Sequence, residues 1–277
     1  MTETNKRLEG GILRPNVAIQ QEYVSAILTM VRRLGDDIKR EMKRVFAEST
    51  HHGAMDDEKG GAFGNVSSQA RVALNGLVDK YEPLFNRLAK RSTKRMISRT
   101  VKNSAVTLGM SLKELSGRVT LDTNVLNDRL QEIVTASTAE AANLIKLIPS
   151  KYLGAVQGQV MRSITTGGGL QTLLPYLTEK YDQNIRHARN VAMDQTRKAY
   201  NNINAGRMQA IGVKEFEWIH TGGTQHPRKD HIELDGKTFS LDDLPVIGEM
   251  YGQVVRGKPG DLPFCRCVMR PIVSFGV

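Results

Sequence analysis

The feature that most limits how this chain can fold is a change of hydrophobic period near Gly212. Before it, apolar residues recur at three- and four-residue steps. After it, they alternate. Between Val17 and Glu48 the residues Val24, Ile27, Leu28, Val31 and Leu34 keep a helical step. Helical signal resumes at Ser67 or Ser68, either of which suits an N-cap, and continues past Leu88. Residues 119–164 form another helical region, punctuated by Pro149. The stretch 165–177 reads as a glycine loop leading into a helix, and 179–212 as a long polar amphipathic helix that stops at Gly212. From Val213 the period becomes two. Phe216, Trp218 and His220 fall on one strand face, and Glu215 and Glu217 on the other. Alternation returns near the end, with Cys265, Cys267 and Met269 on one side and Arg266, Val268 and Arg270 opposite.

These patterns predict an α+β chain, with a mostly α-helical N-terminal body and a small C-terminal β-containing module. Residues 1–16, polar and marked by Gly10, Gly11 and Pro15, read as a flexible tail. The body spans 17–180 and contains a glycine-rich loop at 51–65, whose His51, His52, Asp56, Asp57 and Glu58 could hold a metal but read first as groups of a flexible, solvated loop. The C-terminal domain covers 180–277, with a helix at 180–212 and the β module at 213–273.

Composition narrows the function classes. The chain has 277 residues, a formal net charge of +10 and only 5% aromatic residues. The core must therefore be largely aliphatic, and the basic balance suits proximity to a polyanion such as nucleic acid. Two cysteines do not make a disulfide framework. No apolar run is long enough to span a membrane, and the N-terminus has no signal-peptide pattern, so the expected setting is a cytosol with no membrane partner. The basic residues concentrate in 86–103, where Arg87, Lys90, Arg91, Lys94, Arg95, Arg99 and Lys102 occur without an acid. On a helix they form one stripe, which would repel itself unless it faces water, salt, DNA phosphate or an acidic partner.

The chemistry-bearing residues gather at the end. The run 226–239, HPRKDHIELDGKTF, is followed by PFCRC at 263–267. Cys265 and Cys267 project to one point, and His220, His226 and His231 offer nitrogens. His226, His231, Cys265 and Cys267 would make a tetrahedral set for a structural zinc, although C-x-C is not the usual knuckle spacing. The other reading is a pair of buried, reduced cysteines with surface histidines. A disulfide between residues two apart would be strained. Asp230–His231–Ile232 is similar to the DHI of HNH nucleases, but the downstream Asn and His of that motif have no counterpart: no His follows His231 and no Asn follows Asn204. No nucleophile motif is present, so no catalytic residue is assigned. The residues also have a structural reading: a tight Asp235–Gly236 hairpin turn, Leu234 and Phe239 packed on the Trp218 face, and Arg228 and Arg266 paired with Glu217, Asp230 or Asp235.

The order Trp218, Arg228, His231, Leu234–Asp235–Gly236, Phe239, Pro263 and Cys265–Arg266–Cys267 resembles the C-terminal domain of the phage Mu F-like minor head proteins, or phage head morphogenesis proteins. The helix at 189–212 fits that family too, with Asp194–Gln195–Thr196 where an Arg-Thr-Glu-like string is more usual. The resemblance covers about residues 180–273. It implies a minor capsid protein of the virion, working at the portal or capsid interior during procapsid assembly and DNA packaging. Implied partners are the portal protein, the major capsid or scaffold proteins, and phage DNA, with the host cytoplasm as the site of assembly. Two alternatives stand beside this expectation: an HNH-like metal-dependent nuclease, and a non-specific DNA-binding head protein ejected with the genome.

Overall fold

A computed structural model of the chain describes residues 6–53, 62–113, 121–223 and 227–275. The element order is β1 (Lys6–Glu9), α1 (Val17–Gly53), α2 (Ala62–Lys113), α3 (Asp128–Thr165), α4 (Gly169–Ala210), β2 (Glu215–Ile219), α5 (Lys229–Glu233), β3 (Thr238–Ser240), β4 (Val246–Met250), β5 (Gln253–Arg256) and β6 (Val268–Phe275). The chain is α+β, as its hydrophobic periods predict.

Four long helices dominate. α1 starts where the Asn16 side chain accepts hydrogen bonds from the backbone N–H groups of Ala18 (2.9 Å) and Ile19 (3.2 Å), satisfying amides that have no intrahelical partner. Its buried side follows the predicted step: Ile27, Leu28, Val31 and Leu34 are buried, and the period carries on through Ile38 and Met42. Asn127 caps α3 in the same way, accepting from Leu130 N–H at 2.9 Å. The helices run further than the sequence signals suggest. α1 reaches Gly53 and α2 begins at Ala62, so both edges of the expected 51–65 loop are helical and Ser67 lies inside α2 rather than capping it; residues 54–61 lie outside the described residues. α3 passes through Pro149 without ending. Proline removes one backbone hydrogen bond, but Ile145, Ile148, Tyr152 and Leu153 are buried on either side of it, and their burial holds the helical register.

Two compact units emerge. The helical unit comprises Tyr23–Thr93 and Ala141–Val191. Its interior is aliphatic and tyrosine-rich, around one buried acid, Asp37. The mixed unit comprises Met1–Glu22, Lys94–Glu140 and Ala192–Val277. It contains a four-stranded antiparallel sheet in the order β1-β6-β2-β3 and a separate β4-β5 hairpin.

The sheet corrects the expectation of a flexible tail at 1–16. β1 pairs with β6 from Lys6↔Phe275 to Glu9↔Ile272, and the ladder extends through Gly10 N–H to Pro271 O (2.9 Å) and Leu13 N–H to Met269 O (2.9 Å). Leu13 is fully buried in the core of this unit with Phe216, Trp218, Met208 and Met269. Arg270 ties the layer together, reaching both Glu9 (2.8 Å) and Glu217 (2.9 Å). Residues 1–5 lie outside the described residues.

Arg207 of α4 is the most buried charge in the mixed unit, at 1% exposure. It donates to Ser104 Oγ (3.2 Å), Val101 O (3.2 Å), Val125 O (3.1 Å) and Thr123 O. One guanidinium thus fastens α2 and the 121–125 segment to α4. Burial lowers its pKa, against an attraction to Asp122 that raises it.

Candidate functional site

The strongest concentration of chemistry in the mixed unit is built at the exit of β2. In that strand Phe216 and Trp218 point into the core and Glu215 and Glu217 do not, as the alternation requires. Trp218 lies opposite Met269 of β6. The next inward position is His220, just past the strand. Its backbone N–H donates to Asp235 Oδ1 at 2.7 Å.

Asp235 can do this because of the turn it occupies. Gly236 has φ +72, a left-handed conformation open to glycine at no steric cost. Its N–H donates to Trp218 O (2.9 Å), while Trp218 N–H donates to Lys237 O (2.9 Å). The Leu234–Asp235–Gly236 turn therefore joins α5 to β3 and clamps the end of β2. It is not the two-residue hairpin expected from the sequence, because the segment before it is the short helix α5 rather than a strand. Leu234 and Phe239 do join the Trp218 core as expected, with the Phe216 and Phe239 ring centroids 6.0 Å apart.

α5 exists in order to deliver one side chain inward. His231 is 3% exposed and is the buried residue of that helix. Trp218 packs edge-on against its ring, 5.1 Å between centroids. His231 Nδ1 lies 3.5 Å from Cys265 Sγ and 3.5 Å from Cys267 Sγ. Cys267 Sγ is also 3.4 Å from Nδ1 of half-buried His220. The second nitrogen of His231 is buried without a protein partner. The ligand atoms of three buried residues, His231, Cys265 and Cys267, thus converge within 4.8 Å of one another, and His220 stands beside them through its contact with Cys267.

The cysteines reach this point by a route the sequence does not announce. β6 begins at Val268, so both cysteines precede it, correcting the expected strand alternation. Their segment is irregular: Phe264 has φ +61, unusual for a residue with a side chain. Its N–H is held by Asp194 Oδ1 of α4 at 2.5 Å. Burial, the largest effect on Asp194, raises its pKa, against this backbone hydrogen bond that lowers it. Asn201, also on α4, donates to Cys267 O at 3.3 Å, and Gly260 approaches so close that an added Cβ would sit 2.8 Å from the Asn201 amide. Gly260 N–H points at Cys265 Sγ, 3.4 Å away. Asp194, Asn201 and Gly260 are therefore site residues that sequence reasoning missed, the only signal being the polar face of the 189–212 helix.

The Cys267 hydrogen bond, with lesser help from His231 and Gly260, outweighs burial and holds Cys265 well below the usual thiol range; the same pairing pushes Cys267 up. Both are free cysteines.

The expected arginine pairings are corrected. Arg228 donates to Pro263 O (2.9 Å) and Arg266 to Gly223 O, while Thr221 Oγ1 donates to Arg266 O (2.8 Å). Both guanidiniums brace backbone carbonyls around the cysteine loop. Glu217 goes to Arg270 instead. His226, which the sequence reading grouped with His231, Cys265 and Cys267, lies outside the described residues; among the described residues His220 is the histidine beside Cys267. On α2, Arg87, Lys90, Arg91, Lys94, Arg95 and Lys102 are exposed and Arg99 is half-buried. The stripe is not free of acid: Arg95 (2.6 Å) and Arg99 both pair with Glu22 of α1.

Residues 154–270 match the family described as Phage Mu protein F like protein. The match begins within α3, ahead of the stretch singled out by resemblance, and takes in the whole cluster of His220, His231, Cys265 and Cys267. An uncharacterized protein of Haemophilus influenzae is 26% identical over 254 residues, covering 91% of this chain and 53% of the relative. The uncharacterized protein YqbB of Bacillus subtilis is 24% identical over 157 residues, covering 54% of this chain and 50% of the relative. The chain spans about half the length of these curated relatives. No solved structure matches it.

Proposed function

We propose that this chain, whose residues 154–270 belong to the Phage Mu F-like family, is a phage head morphogenesis protein with a structural, interaction role. It joins the head as a minor capsid component and binds other head proteins, foremost the portal protein, with the major capsid and scaffold proteins as further partners. The observation that carries this reading is the family match across the site. Several features of the fold support it. His231 is buried against two thiols and an indole, an environment that braces a loop; this speaks for a non-catalytic module and against an HNH-like nuclease. The β4-β5 hairpin carries exposed apolar side chains at Val246, Tyr251 and Val254, the kind of surface interaction proteins offer. Among the described residues no helix is long and apolar enough to cross a membrane.

A DNA-proximal position in the capsid interior is the second part of the proposal. The net charge of +10 and the exposed Arg87, Lys90, Arg91, Lys94 and Lys102 favour it. Co-expression of the tagged chain with the portal protein of its phage tests the main reading. Co-purification, together with detection of the chain in purified particles, is the expected result. Failure of both, or cleavage of plasmid DNA that is lost in His231→Ala, would overturn it.

A further inference from the structure

We propose that His231, Cys265 and Cys267 bind one structural zinc ion, with His220, beside Cys267, turning in as the fourth ligand that closes a tetrahedral site. The argument is geometric and stands apart from the head-assembly reading. A tetrahedral ion with Zn–S of about 2.3 Å and Zn–N of about 2.05 Å puts its sulfur and nitrogen ligands ~3.6 Å apart. His231 lies 3.5 Å from each sulfur, close to that value, and His220 lies 3.4 Å from Cys267, so the fourth ligand is placed to swing onto the ion from the Cys267 side. The ligand atoms of His231, Cys265 and Cys267 all lie within 4.8 Å of one another. Two thiolates and two imidazoles are soft and borderline donors, which suit zinc and exclude magnesium and calcium as residents.

Neighbouring groups orient the ligands as a metal site requires. The Asp235 carboxylate fixes the His220 backbone. Trp218 sets the plane of the His231 ring. Gly260 N–H donates to Cys265 Sγ, a contact that favours the thiolate, and Asn201 holds the Cys267 carbonyl. With four protein ligands there is no open position for substrate or water, so the ion is a staple rather than a catalyst. It joins the exit of β2, the helix α5 and the loop before β6. Those three segments come from distant points in the chain and otherwise meet through a small core.

Four measurements on the 277-residue chain, purified without chelator or a polyhistidine tag, test the site. Elemental analysis is expected to find one zinc per chain, and none in the Cys265→Ser/Cys267→Ser double variant. Replacement by cobalt(II) is expected to give thiolate-to-cobalt charge transfer in the near ultraviolet with intense visible bands, the signature of a tetrahedral sulfur-containing site. In the wild-type chain, zinc is expected to protect both cysteines from a thiol reagent, a readout that needs no variant and so survives misfolding of the double mutant. His220→Ala, at the half-exposed edge of the cluster, is expected to weaken zinc binding roughly tenfold or more while helix content is retained. Metal-free protein that develops no thiolate–cobalt band on titration, with thiols equally reactive with and without zinc, overturns the site. Unchanged zinc affinity in His220→Ala overturns the four-ligand assignment.

Discussion

The two units of this chain use their buried charges in opposite ways. In the helical unit the buried charge is an acid, Asp37, and three donors come to it: Lys80 (2.6 Å), Tyr81 (2.7 Å) and Arg40. In the mixed unit the buried charge is a cation, Arg207, and its partners are three carbonyls and a hydroxyl. Arg40 and Lys80 keep much of their surface in water, so Asp37 neutralises charges that would be solvated without it. Arg207 has no such exit. Its acceptors are neutral, three backbone carbonyls and the Ser104 hydroxyl, and they belong to a helix and a connecting segment that Arg207 joins. The difference teaches that the helical unit spreads its stability over a repetitive apolar face, whereas the mixed unit rests on a few groups that nothing else replaces.

The comparison breaks most visibly at Arg207. Arg207→Ala is expected to destabilise the chain by about 3–5 kcal/mol, since it empties a buried site and strands several acceptors. Urea denaturation followed by helix content reads this out. A cost under 1 kcal/mol would mean that water replaces the guanidinium, and the claimed asymmetry would disappear.

Asp37→Ala is expected to cost about 2–4 kcal/mol, chiefly because the fully buried Tyr81 hydroxyl loses its acceptor. Its pH dependence sharpens the assignment. Burial, the largest single influence, would raise the Asp37 pKa, but the hydrogen bonds from Lys80, Tyr81 and Arg40 overcome it and hold the group at about 2. A carboxyl depressed in the folded state contributes stability above its unfolded pKa and loses it as pH falls through the folded value. The wild type should therefore lose about 1–2 kcal/mol relative to Asp37→Asn between roughly pH 4 and pH 2, after allowing for the exposure of Arg40 and Lys80. Parallel pH–stability curves for the two proteins would rule out the pairing as a source of stability.

Much of this organisation is legible in the sequence, and the illegible part has a common physical origin. The α1 stripe and the β2 alternation are local periodicities, and both elements stand where those periods put them. His231, Cys265 and Cys267 are legible as donors of metal-binding type from their residue types, and the structure brings the three together. Contacts made over long separations leave no such trace. Lys6–Glu9 has no strand signature, and pairs only because β6, at the other end of the chain, presents an edge to it. Asp194 looks like any polar residue of an amphipathic helix, yet it holds the backbone of Phe264. The choice of His220 as a neighbour of Cys267 depends on where the Asp235 turn sends the chain. Helix α3 outruns its local signal for another reason: proline at 149 weakens a helix locally, and the burial of Ile145, Ile148, Tyr152 and Leu153 outweighs that cost.

Gly35→Ala asks whether the helical unit is as tolerant as the comparison implies. A methyl group at this position of α1 would lie 2.2 Å from the Tyr181 ring, a ring that also carries the Lys39 ammonium at 4.6 Å. Alanine gains helix propensity over glycine by about 1 kcal/mol, and overpacking costs about 1–3 kcal/mol. The net expectation is a loss of about 1–2 kcal/mol, read as a lower thermal midpoint. A neutral or stabilised variant would show that the Tyr181 ring yields freely and that the helical unit contains no position of the demanding kind found in the mixed unit.

The smallest expected effect on stability falls at Glu22, and it carries the most functional weight. Its pairs with Arg95 and Arg99 are solvent-exposed, so Glu22→Gln should change stability by less than about 1 kcal/mol. The same substitution releases two arginines of the α2 stripe from an acid. If the stripe meets phosphate, each arginine newly engaged steepens the dependence of log K on log salt by about 0.9 for duplex DNA. Glu22→Gln should then bind duplex more tightly at low salt and show a slope steeper by up to about 2, measured by fluorescence anisotropy across a salt series. Identical slopes for the two proteins would mean that Arg95 and Arg99 serve Glu22 alone, as structural partners within the mixed unit. A flat salt response from both would remove the stripe from any DNA-proximal role, and the charge of this chain would then have to be explained by an acidic protein surface.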